Sequence, residues 1–170
     1  MAGRAWGLSV LALGTVAAAT AAPSQRVQPV GLPLSFVLPG SWSGKSFGTG
    51  PLAYQAFSPN LVTEFDVQRT TPAPAPKFFE LEFTAKIRQI VLGQDPHATI
   101  DTATVELPAG RAVAIVAHVH YALYGPPQPG IVWVYGIEHG SAYYTFTTYK
   151  RAESHVSAAD VLEIMRSLRF

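Results

Sequence analysis

The sequence predicts an α+β domain built on an antiparallel sheet that is covered on both faces. Three observations carry this. Gly130 to Lys150 reads as a hairpin, with apolar residues at Ile131, Trp133, Tyr135 and Ile137, a break at His139-Gly140, and a return at Ala142, Tyr144 and Phe146. The opposite face of the same strands carries Val132, Val134, Tyr143, Thr145 and Thr147, which is apolar enough to need its own cover. Two segments with helical periodicity, one central and one C-terminal, are available to supply the layers.

Taken in order, the chain opens with a targeting signal over residues 1–21. Arg4 supplies a positive n-region, Ala5 to Ala19 a short apolar run, and Ala19-Thr20-Ala21 a small-x-small cleavage site. The run is too short and alanine-rich for a stable membrane span, which takes ~20 strongly apolar residues. Residues 22–32 are polar and proline-spaced, and are expected to be a flexible linker ahead of a single α+β domain over 33–170.

Leu34 to Leu38 alternates as a strand and stops at Pro39-Gly40; Ser41 to Gly50 is expected to be a loop or bent edge. Leu52 to Ser58 and Leu61 to Thr70 form a second hairpin about Pro59-Asn60, with Phe65 and Val67 in the core. Thr71 to Pro76 is a stiff, extended proline connector. Lys77 to Leu92 is a helix with Phe79, Phe83, Ile87, Ile90 and Val91 on its buried stripe, a Glu82-Lys86 pair outside, and Gly93 as its stop. His97 to Leu107 and Arg111 to Tyr121 pair about Pro108-Ala109-Gly110 and continue as a meander to Lys150. In the opening hairpin, a turn at His139-Gly140 sets Ile137 against Ala142, Tyr135 against Tyr144 and Trp133 against Phe146. Ser157 and Asp160 form a capping box for the last helix, whose buried stripe is Val161, Ile164, Met165 and Leu168. Phe170 is expected to tuck against the sheet.

Composition excludes several functions. The 170 residues carry 12 Lys plus Arg against 11 Asp plus Glu, so no basic excess draws nucleic acid or an anionic membrane. Cysteine is absent, which removes disulfides and lipid attachment through that residue. Gly40 to Gly44 has Trp42 where a nucleophile elbow needs serine, and Gly48-Thr49-Gly50 lacks the remaining residues of a nucleotide loop. No catalytic set and no cofactor motif emerges. His118 and His120 share one side of a strand and could begin a metal site, with His155 or Glu153 as a third ligand from the loop after Lys150. Two ligands do not make a site, and the pair reads first as polar positions near a strand end, hydrogen-bonded or hydrated. The proline-rich loop at Tyr124, Pro126, Pro127 and Pro129 is the candidate binding surface, because its prolines reduce the entropy lost on ordering and Tyr124 offers an amphipathic anchor.

The order of elements, with LPGSW at Leu38 to Trp42 closing a strand and SLRF at Ser167 to Phe170 closing the last helix, resembles the Mog1/PsbP-like fold from Gly31 to Phe170. The resemblance implies an α/β/α sandwich with a central antiparallel sheet; cystatin-like and NTF2-like folds, a helix on a curved sheet, are the alternatives. Characterised relatives bind other proteins, a small GTPase in one case and a photosystem in another, and no catalytic residues carry over. Many bacterial members have a lipid-attachment cysteine that this chain lacks. The expectation is therefore an exported, secreted or periplasmic, non-catalytic module recognising an unknown protein or ligand. An extracytoplasmic hydrolase or a metal-binding protein is the alternative.

Overall fold

Apart from the one at Leu34 to Leu38, the strands expected from alternation assemble into one sheet, whose layers follow from which side each apolar set faces. A computed structural model describes residues 23–48, 50–121 and 127–170, so the leader expected over residues 1–21 lies outside the described residues. The elements are β1 (Ser24–Val27), β2 (Phe36–Pro39), β3 (Ser43–Ser46), β4 (Leu52–Phe57), β5 (Thr63–Thr70), α1 (Pro76–Gln94), β6 (Thr99–Leu107), β7 (Gly110–Tyr121), β8 (Gln128–His139), β9 (Ala142–Arg151) and α2 (Ala158–Arg166). Seven strands form an antiparallel sheet in the order β3-β4-β5-β9-β8-β7-β6, and β1 pairs with β2 as a separate ribbon. The meander from β6 to β9 is continuous, as the sequence predicts.

Each sheet face has its own core. On one, Val113, Ile115, Ala117 and Val119 of β7 with Val134 and Tyr143 meet Phe79, Phe83, Ile87 and Val91 of α1. On the other, Phe65, Val67, Trp133, Tyr135, Ile137, Tyr144 and Phe146 meet Val161, Ile164 and Met165 of α2 together with Leu34, Phe36 and Leu38. The result is α/β/α layering, and the cover on both faces separates it from the helix-on-sheet alternatives. Gly136 lets α1 approach: a Cβ there would lie 2.5 Å from the Phe83 ring.

At nine residues α2 is too short to persist alone. Its docked stripe supplies roughly 1.5–3 kcal/mol for each buried aliphatic side chain. The capping box fixes where it starts: the Asp160 N–H donates to Ser157 Oγ at 3.3 Å, and the Ser157 N–H donates to Asp160 Oδ2 at 2.8 Å. Beyond the helix Leu168 is buried, and Phe170 stacks on His139 with centroids 4.0 Å apart.

Four local expectations are corrected. The stretch expected to be a flexible linker is not one over its described residues 23–32: β1 pairs with β2, the Gly40 N–H donates to the Pro23 carbonyl at 2.5 Å, and Leu32 is buried. The β8–β9 turn is centred on Gly140-Ser141, pairing His139 with Ala142, Ile137 with Tyr144, Tyr135 with Phe146 and Trp133 with Thr148. Gly140 takes a φ of 61° at the first central position, where type II′ turns place glycine. The offset leaves the assignment of faces unchanged. Helix α1 runs through Gly93 to Gln94 and is capped by Asp95, whose N–H donates to the Val91 carbonyl at 2.8 Å. Ile90 is 48% exposed instead of buried, and Lys86 donates to the Tyr143 hydroxyl at 2.9 Å.

Candidate functional site

Strand β5 alternates Phe65 and Val67, which enter the α2-side core, with Glu64, Asp66 and Gln68, which therefore face the α1 side. Helix α1 lies mainly over β7 and β8 and touches β9 at Tyr143 through Phe79 and Phe83, leaving part of that face open towards β5. The uncovered part of that face becomes a cleft of about 240 Å³. Ile87, Ile90 and Val91 form its helix wall, Val132 and Val134 its floor, and Glu64, Asp66, Thr145 and Thr147 its polar side. Asp95 closes it at the end of α1, where its carboxylate accepts the His120 N–H at 2.6 Å and the His97 N–H at 2.9 Å. Those bonds, His120's above all, hold Asp95 below the usual carboxylate range.

Asp66 goes the other way. Burial, and then the negative charge of Glu64 beside it, push its carboxyl up to about 7, with the Gln55 amide acting in the opposite direction. Gln55 Nε2 also donates to Glu64 Oε1 at 2.6 Å, which ties β4 to the pair. Asp66 Oδ1 is shut off from solvent and has no hydrogen-bond partner. Three carboxylates and no lysine, arginine or histidine line the cleft among the described residues. Near neutral pH such a pair can both donate and accept a hydrogen bond, beside a wall suited to an apolar group.

The residues singled out from the sequence lie elsewhere. His118 and His120 sit exposed near the end of β7, opposite Ile131 and Pro129, and His155 is exposed in the segment before α2. Among the described residues no group of three or more His, Cys, Asp or Glu could hold a metal ion. Tyr124 and Pro126 lie outside the described residues. Pro127 is exposed, and Pro129, expected in the loop, belongs to β8 with its carbonyl accepting the Ala152 N–H at 3.1 Å. The cleft carboxylates did have a sequence signal, namely Glu64 and Asp66 alternating with core residues in a sheet expected to be covered on both faces.

No protein-family model matches the chain, and no curated protein matches its sequence. In structure it is similar to cyanobacterial PsbP (CyanoP) from Synechocystis sp. PCC 6803, at 12% identity and a TM-score of 0.55 over 92% of this chain and 98% of that one. It is also similar to a protein of Bacteroides thetaiotaomicron VPI-5482, at 11% identity and a TM-score of 0.59 over 88% of this chain but 48% of that one. At these identities the likeness is one of fold, and the fold is PsbP-like.

Proposed function

We propose that this chain is an extracytoplasmic, non-catalytic recognition module that binds its partner or ligand through the cleft between α1 and β5. The cleft carries the reading: an apolar wall, with Ile90 48% exposed, stands opposite a polar side on a rigid sheet. The PsbP-like fold supports an accessory role, and the leader over residues 1–21 supports export. No described helix is long and apolar enough to cross a membrane. A second reading, acid–base hydrolysis, draws on the Asp66 carboxyl at about 7, a value suited to proton transfer.

One experiment separates them. Protein recovered from the extracytoplasmic fraction, with a measured mass that starts at or near Ala22, is incubated with that fraction alongside Ile90→Glu. Recognition predicts a component retained by wild type, recovered chemically unchanged, and lost with Ile90→Glu. A component cleaved or otherwise altered in a wild-type-dependent way establishes the hydrolase instead. Equal retention by both proteins removes the cleft from the binding surface.

A further inference from the structure

We propose that the cleft takes an aliphatic amine, its cationic nitrogen lodged against Glu64 and Asp66 and its carbon chain lying along Ile87, Ile90 and Val91. This rests on reading the cleft as a binding site and adds the chemistry of what it binds. Charge complementarity is the first argument. Of the groups facing Asp66, β5 brings Glu64, β4 the Gln55 amide, β9 the hydroxyls of Thr145 and Thr147, and α1 Gln94 and the Asp95 carboxylate. None is cationic. Nearby cations are engaged, since Lys86 donates to Tyr143 at 2.9 Å and Arg151 lies 3.9 Å from Glu153. An anionic ligand would meet like charge at Glu64, Asp66 and Asp95.

Unused hydrogen-bonding capacity is the second argument. Asp95 is committed to two backbone N–H groups and lies 3.8 Å from His120 Nδ1, whereas Glu64 and Asp66 share a single neutral donor, the Gln55 amide. An ammonium brings three donors and no acceptor, which matches a pair of carboxylates better than a hydroxyl does. Size is the third. A volume of about 240 Å³ falls below the range of drug-sized sites and suits a chain of a few carbons, free or as a lysine side chain.

The test is a two-dimensional NMR titration of the whole domain at pH 8, with hexylamine, Nα-acetyl-lysine N-methylamide, hexanol and hexanoate as probes. Hexylamine is expected to shift the amides of Ile87, Val91 and Thr147 and to bind about tenfold more tightly than hexanol, the gain of one charge-assisted hydrogen bond. Hexanoate is expected not to bind. Asp66→Asn and Glu64→Gln should each cost the amine about tenfold while leaving hexanol unchanged, and unshifted resonances in the α2-side core would verify their fold. Whichever amine binds more tightly names the source. Equal affinity for hexylamine and hexanol, amine binding indifferent to both substitutions, or no binding of either amine overturns the proposal. Hexanol binding at the cleft would leave the recognition reading standing, and the Ile90→Glu retention assay judges that reading separately.

Discussion

Asp66 couples the cleft to the stability of the whole chain. Its carboxyl is pushed up to about 7, above the unfolded value near 4, so between those limits the folded protein keeps a proton that the unfolded chain has released. The stability this contributes is complete below about pH 4 and is lost as pH rises through about 7. The ceiling is ~4 kcal/mol, and residual solvation and sharing of the proton with Glu64 reduce it to roughly 2 kcal/mol. Asp66→Asn stays neutral and should remove that part of the pH dependence. Urea midpoints for both proteins from pH 4 to 8 check this, and parallel curves would show that Asp66 does not titrate there. The alternation of β5 was legible in the sequence, which placed Phe65 and Val67 in the core. The meaning of Glu64 and Asp66 was not, because it depends on how far across the sheet α1 extends, and no local pattern encodes that.

At the level of elements, periodicity revealed what chemistry next to a glycine did not. The last helix, its capping box and the two faces of the β8–β9 hairpin were readable because each depends on residues within a few positions of one another. The hairpin register was not, since Gly140 can serve a two-residue turn from either central position and both choices keep the same faces. Likewise β1 escaped notice because its partner, β2, lies beyond a polar, proline-spaced stretch. The seating of α1 on β8 offers a quantitative check. With Phe83 Cζ 2.5 Å from an added Cβ, Gly136→Ala must lift the helix and should cost about 1–3 kcal/mol. Phe83→Leu in the same chain should recover part of that loss, read as non-additivity in a double-mutant cycle. Simple additivity would mean the ring moves aside freely.

Across the whole molecule, the two ends of the described chain close one core together. Ser35 and Arg169 exchange backbone hydrogen bonds at 2.8 and 2.9 Å, and the Val37 N–H donates to Ser167 Oγ at 2.8 Å. Removing residues 157–170 would uncover Phe36, Leu38, Phe65 and Tyr144 at once. We expect such a chain to lose its cooperative urea transition, and a sharp transition of unchanged midpoint would show that α2 is dispensable. The strand order has a consequence for how the protein is made. Because β5 pairs with β9, Thr63 must wait for Lys150 and Thr70 for Tyr143, a delay of seconds at roughly 5–20 residues per second of synthesis. Long-range pairing of this kind also slows folding once every strand is available. The sheet thus cannot close on a half-made chain, and its two halves stay apart until β9 has been made.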